Sequence, residues 1–190
     1  MSESAWEFSH DDGTVTVYTG VAGRAARTGH RLTIEATRWS GSATVDDDAP
    51  DGPLPTALTA SIEVDSLDVV AGEGGLTPLT GAEKTLARSN ALKSLQADKF
   101  ATITVECTTI TKTPSGFRAE ATLTICGHSR PHTLDFVVHA DGGRRAIRAE
   151  TTVSHREFGI KPYSLMMGAL KVADEVRVVV EAVVDDAVVG

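Results

Sequence analysis

Residues 102–126 read TITVECTTITKTPSGFRAEATLTIC, and their period of two decides the fold class. Ile103, Val105 and Cys107 share one face. After the turn signal Thr113-Pro114-Ser115-Gly116, the residues Phe117, Ala119, Ala121, Leu123 and Ile125 share another. Successive side chains of a strand point to opposite faces, so the stretch is a hairpin with one buried and one wet face. Bringing the apolar faces together sets a register, with Ile125 opposite Ile103, Cys107 opposite Ala121 and Lys112 opposite Gly116. The loop is then Thr113, Pro114 and Ser115. Cys107 points inward as a small hydrophobe and Cys126 outward, which excludes a disulfide between them.

The same alternation continues on both sides. Val15 and Val17 carry it in 14–19. Leu32, Ile34 and Ala36 carry it in 31–39, a short run follows at 42–45, and then come Leu58, Ala60, Ile62 and Val64. Downstream it returns in Leu134, Phe136 and Val138, in Ile147, Ala149, Thr151 and Val153, and in Val176, Val178, Val180 and Ala182. Residues 127–131 and Asp141-Gly142-Gly143 read as turns. Many short strands at regular spacing predict an all-β barrel or sandwich. One helix is expected, over 81–96, where good helix formers gather. Residues 46–55 read as a breaker-rich loop. Residues 65–80, with Gly72, Gly74, Gly75 and Pro78, read as a long loop or lid. Residues 1–9 and 185–190 read as loose ends. No repeat or linker divides the chain, so 1–190 is expected to be a single domain.

The 190 residues are 41% hydrophobic and 23% charged, with a net charge of -8. That is enough chain for a full core without disulfides or metals. The negative charge argues against general binding to nucleic acid or an anionic membrane surface, although a local basic patch is compatible with it. No apolar run reaches the roughly 20 residues of a spanning helix. The start, MSESAWEFSHDDG, has no basic or apolar signal region, so a cytoplasmic location is expected.

Few residues suggest catalysis or metal binding. His128 and His132 flank Ser129-Arg130-Pro131, where the proline denies a helix, and no third ligand lies nearby. They read as exposed turn histidines rather than a metal site. Asp46, Asp47, Asp48 and Asp51 lack the spacing and closing glutamate of a calcium loop. No nucleophile elbow, dinucleotide fingerprint or phosphate loop occurs. No catalytic residue is assigned and no enzyme is expected.

Two segments stand out. Residues 20–31, GVAGRAARTGHR, gather Arg24, Arg27, His30 and Arg31 in an acidic chain. They read either as a solvated turn or as a cationic rim for an anionic headgroup. Residues 155–170, HREFGIKPYSLMMGAL, hold Phe158, Ile160, Tyr163, Leu165, Met166, Met167 and Leu170 without a clean period. They suit a plug at the barrel end, a pliable wall for a lipid chain, or both.

Four features together resemble the YceI-like family. They are Gly29-His30 leading into 31–39, the run 86–103 ending in Asp98-Lys99-Phe100-Ala101-Thr102-Ile103, the strand and turn 121–131, and Arg156-Glu157-Phe158-Gly159-Ile160 before a final valine-rich strand. The resemblance implies an eight-stranded antiparallel lipocalin-like barrel with a long isoprenoid or fatty-acid-like molecule inside, and it allows a homodimer. Ala101 and Ser129 depart from the family's usual proline and threonine.

Small inward residues, Ala36, Ala60, Ala119, Ala121, Ala149 and Ala182, favour a cavity over a filled core. The expected lumen comprises Ile34, Ala36, Ile62, Ile103, Val105, Ala121, Leu123 and Phe136, joined by Phe158, Tyr163, Met166 and Met167. Arg24, Arg27 and His30 form the expected headgroup rim. A phenylalanine at Ala121 is expected to fill the lumen at little cost to the fold. The expected function is non-catalytic binding of a polyisoprenoid, quinone or fatty-acid derivative, with no cofactor. The alternative is an enzyme or haem protein on the same barrel, with His30 or His155 as ligand.

Overall fold

The computed structural model describes residues 2–185. It is an antiparallel sheet of twelve strands, with one α-helix, that curls into a barrel. The first six strands are β1 (Glu3–Ser9), β2 (Gly13–Ala22), β3 (His30–Ala36), β4 (Trp39–Asp46), β5 (Leu54–Glu63) and β6 (Leu67–Gly74). Helix α1 (Gly81–Ser94) follows. Then come β7 (Thr102–Thr113), β8 (Gly116–Ile125), β9 (His128–Asp141), β10 (Arg144–Ser154), β11 (Ser164–Leu165) and β12 (Leu170–Asp185).

Twelve strands replace the expected eight because three chain passes are each broken at a bend, and because β11 is a two-residue strand. β1 and β2 together run beside β3 and β4, and these run beside β5 and β6. The breaks fall at one level of the wall, where they bond each other. Thr37 N–H donates to the Ser66 carbonyl at 3.1 Å, Glu63 N–H to Arg38 at 3.1 Å, and His10 N–H to Trp39 at 3.2 Å. Bending a strand frees backbone groups, and cross-bonding the bends satisfies them. The remaining wall runs β5-β7-β8-β9-β10-β12-β2.

The hairpin of residues 102–125 keeps its expected register over half its length. Cys107 faces Ala121 and Val105 faces Leu123. A bulge between Cys107 and Ile110 then shifts the pairing, so Lys112 meets Phe117 rather than Gly116, and the loop shrinks to Pro114 and Ser115. The 127–131 turn is likewise smaller. Cys126 and Gly127, both at positive φ, make a two-residue turn between Ile125 and His128. Pro131 sits in β9 opposite Thr122. Pairing of β9 with β10 begins only at Asp135, so Pro131 occupies an unpaired edge where its missing N–H is not needed. Cys126, expected to point outward, is 4% exposed, packs near Leu95 and Phe100, and donates its thiol to the Leu95 carbonyl.

Three expected loops are partly strand. Residues 67–74 form β6 against β3, with Leu67 and Val69 buried. Gly72 serves packing, since a Cβ there would lie 2.7 Å from the Leu79 side chain, while Gly74 supplies a left-handed φ of +81°. Residues 3–9, expected to be loose, form β1, in which Trp6 is buried opposite Ala43. In the breaker-rich 46–55 segment, β5 starts at Leu54, and Pro55 is fully buried. At the other terminus, Val184 is 2% exposed and Asp185 still pairs with Arg144, while 186–190 lie outside the described residues.

Helix α1 starts with a capping box between Thr80 and Glu83. No residue of it is buried. It packs half-buried Ala87 and Leu92 against the core and is tethered by side chains that reach the free edge of β6. Arg88 Nε donates to the Leu67 carbonyl at 2.8 Å, Arg88 Nη2 to the Asp65 carbonyl, and Lys84 Nζ to the Val70 carbonyl at 2.7 Å. An uncovered strand edge invites pairing with another chain, and α1 removes that opportunity.

Candidate functional site

The barrel encloses a cavity of about 820 Å³. Its wall is the inward face of every long strand. Val15 and Val17 come from β2, Leu32 and Ile34 from β3, Leu58, Ala60 and Ile62 from β5, and Ile103 and Val105 from β7. The far wall is Leu123, Leu134, Phe136, Ile147, Ala149, Val178 and Val180. Trp6 and Phe8 lie at one end. At the other, Leu79, Leu86, Ala87, Asn90 and Leu95 line it together with Tyr163, Leu165, Leu170 and Lys171. A concave, mostly apolar chamber of this size with few polar groups is the usual form of a small-molecule site.

The polar groups have distinct places. His132 and Thr151 meet within the wall, Nε2 to Oγ1 at 2.7 Å, beyond the point where β9 and β10 stop pairing. At the α1 end, His30 Nε2 bonds the Thr77 carbonyl at 2.7 Å and His155 Nδ1 lies 3.2 Å from the Ala173 carbonyl. Glu83 also lines this end, its carboxyl held below its usual range by the Thr80 backbone N–H and hydroxyl. Buried Trp39 Nε1 has no partner among the described residues.

Burial pushes the His132 and His155 imidazoles below their ordinary range. The unfolded chain then binds protons that the folded barrel refuses. Stability is therefore full above the unfolded histidine pKa of about 6.5 and falls as pH drops through it toward the folded values. Urea midpoints measured from pH 8 to pH 5 should decline. His132→Gln and His155→Gln should each flatten the decline. A slope unchanged in both variants would place its source elsewhere.

Of the residues expected in the lumen, Ile34, Ile62, Ile103, Val105, Leu123, Phe136 and Tyr163 line the cavity, as does His30 of the expected rim. Others do not. Ala36 is packed beside the 37–38 bend with Trp39, Val64 and Leu67. Ala121 is buried with Cys107 and Ala119 and is covered by Leu58, Ile110, Leu134 and Phe136. Phe158 is fully buried among Leu123, Ile125, Val153 and Ile160, swung inward by the short 156–158 turn. Met166 and Met167 are 67% and 106% exposed, because two successive left-handed residues turn them out of the mouth. Arg24 and Arg27 are exposed and outside the lining; the cation on the lining is Lys171. His132, expected in an exposed turn, lines the cavity because it lies in strand β9.

The sequence reading missed Trp6, Phe8, His132 and the α1 residues as lining. A signal existed for most of them. Trp6 and Phe8 are two apart, and His132 lies two residues before Leu134 and four before Phe136, on the same face. Among the described residues, no three His, Cys, Asp or Glu side chains converge as metal ligands, and no helix is long and apolar enough to cross a membrane.

Fold and cavity define a class: a curled antiparallel β-barrel enclosing a site for apolar molecules. The chain belongs to the YceI-like family, whose YceI-like domain model matches residues 4–184. No curated protein matches it. Among solved structures, BcnA of Burkholderia cenocepacia aligns with a TM-score of 0.66 at 14% identity, covering 90% of this chain and 95% of BcnA. The Campylobacter jejuni YceI protein aligns with a TM-score of 0.57 at 14% identity, covering 78% of this chain and 82% of its own. At these identities the likeness is one of fold.

Proposed function

We propose that the protein is a non-catalytic carrier of a long-chain apolar lipid, such as a polyisoprenoid, a quinone or a fatty-acid derivative. The observation that carries this reading is the shape and chemistry of the cavity. It runs from Trp6 and Phe8, where the lining is apolar, to the α1 end, where His30, Asn90 and Lys171 are on the lining. The tail lies in the barrel and the polar end of the lipid meets those three side chains. Both cysteines are buried, and burial pushes the Cys126 thiol up, away from the reactive thiolate.

The expected headgroup rim is revised on this geometry, with His30 retained and Lys171 in place of Arg24 and Arg27. Gently purified protein, extracted into organic solvent and analysed by mass spectrometry, should yield a long-chain species near one per chain. Protein that emerges empty, and that takes up neither a polyprenol, a quinone nor a fatty acid, would defeat the carrier reading. A strong visible absorbance band in the same preparation would favour a haem protein instead.

A further inference from the structure

The most exposed of the large apolar side chains are not scattered over the surface. Leu76, Leu86, Leu165, Met166 and Met167 are 80%, 59%, 47%, 67% and 106% exposed. Leu76, Leu86 and Leu165 line the α1 end of the cavity, and the two methionines follow Leu165 directly. The apolar surface therefore rings the mouth of the chamber. A monomer gains nothing from exposing such a ring unless something apolar meets it.

Cations stand beside this ring. The 3-10 turn at Ala26–Thr28 packs against the methionine loop: Ala25 N–H donates to the Ala169 carbonyl at 2.8 Å, and a Cβ on Gly23 would fall 2.3 Å from that same oxygen. This contact sets the turn that carries Arg24 and Arg27 against the loop that carries Met166 and Met167. Lys171 is paired in register with Ser164, and Lys161 lies just ahead of Tyr163. All four cations are exposed, and among the described residues none makes an ion pair. Of the carboxylates at this end, Glu73 faces Arg31 at 3.7 Å, Glu83 turns in to cap α1, and Asp174, which shares a small pocket with Lys171 and Gly168, accepts from the Ser154 hydroxyl at 2.6 Å and the Arg156 backbone N–H at 3.0 Å. The chain as a whole carries -8, so the arrangement is a local reversal of sign. Salt screens the distant carboxylates over a Debye length of roughly 8 Å.

We propose that the mouth docks on an anionic lipid surface, with the Leu165–Met167 tip and Leu86 entering the interface and Arg24 and Arg27 resting on lipid phosphates. Membrane surfaces are bound by this pairing of apolar residues with flanking cations. Methionine is unbranched and polarizable, which suits an irregular acyl boundary. Docking in this pose sets the chamber's opening against the bilayer, where a lipid can pass without crossing water. The inference extends the carrier reading, but its test needs no cargo.

The test is flotation of the whole chain with vesicles, either of phosphatidylcholine alone or with a third phosphatidylglycerol. Wild type should float with the anionic vesicles, and more weakly as salt rises. Arg24→Gln with Arg27→Gln should weaken this by about fivefold per arginine, the factor that ~1 kcal/mol per cation near such a surface gives. Met166→Ser with Met167→Ser should weaken binding to both vesicle types. These side chains are exposed and off the lining, so melting and lipid capture in solution should not change. That separates a failure of docking from a failure of the carrier reading. No flotation of wild type, or equal flotation of all variants, would overturn the proposal. So would a concentration-dependent dimer that the methionine variant abolishes, since the ring would then be an interface between two copies of this chain.

Discussion

Ala149→Phe should abolish lipid capture, with a loss on the order of 100-fold or ~2.8 kcal/mol, while the melting temperature stays close to that of wild type. Ala149 lies mid-barrel on β10, in register with Phe136 of β9 and Val180 of β12, and all three line the cavity. A ring at Ala149 enters open space and occupies what the lipid tail needs. Ala121→Phe is the contrast, and there the structure reverses the expectation from sequence. Ala121 is 6% exposed and belongs to a buried cluster with Cys107 and Ala119, so a ring must displace packed neighbours. Overpacking of that kind typically costs about 1–3 kcal/mol. Affinity for a fluorescent long-chain lipid and thermal melts of both variants settle the matter. If Ala149→Phe melts as low as Ala121→Phe, the space beside Ala149 is filled.

Phe158→Ala should cause a large loss of stability, about 3–5 kcal/mol, as expected when a buried aromatic is removed and its cavity cannot collapse. The ring is fully buried and is held from two sides. Strands β8, β10 and β12 supply Leu123, Ile125, Val153 and Val176, while the chain after it turns at Gly159 with φ +64°. The glycine also lets the turn pack close to His128, since a Cβ there would lie 3.1 Å from the His128 ring. Urea unfolding should show a lower midpoint with an unchanged slope. Met167→Ala, at an exposed site, should stay within about 0.5 kcal/mol of wild type. A loss below about 1.5 kcal/mol for Phe158→Ala would mean the end of the barrel repacks freely.

The sequence speaks clearly where the backbone is regular. In β8, the buried residues Ala119, Ala121, Leu123 and Ile125 fall on alternate positions, as their spacing predicts. It misleads where the backbone departs from regularity. Nothing in the residues 107–110 announces a bulge, and a bulge alone undoes half a register. Gly72 reads as loop because a missing side chain looks the same whether it serves freedom or close packing. The site shows the same limit. Ala121 and Ala149 are both small, mid-strand and inward, and sequence cannot tell them apart. They differ in what stands opposite: covering side chains for one, open lumen for the other. Helix α1 was legible from propensity, but its attachment was not, because Arg88 and Lys84 bind backbone carbonyls and those carry no residue identity.

Strand β12 pairs with β10 on one side and with β2 on the other, so it is the stave that closes the barrel. It is C-terminal to every other strand. During synthesis the barrel therefore cannot close until residues 170–185 have been made, and any sheet formed earlier leaves the edges of β2 and β10 unpaired. Partners such as Val17 and Val178 come from near opposite ends of the chain, so closure must overcome a large loop entropy and folding is slow for a chain of this size. Open sheets with free edges aggregate. Translation that stops short of β12 thus leaves an adhesive sheet, not a smaller barrel, and the interval before that strand emerges is when the protein most needs a chaperone.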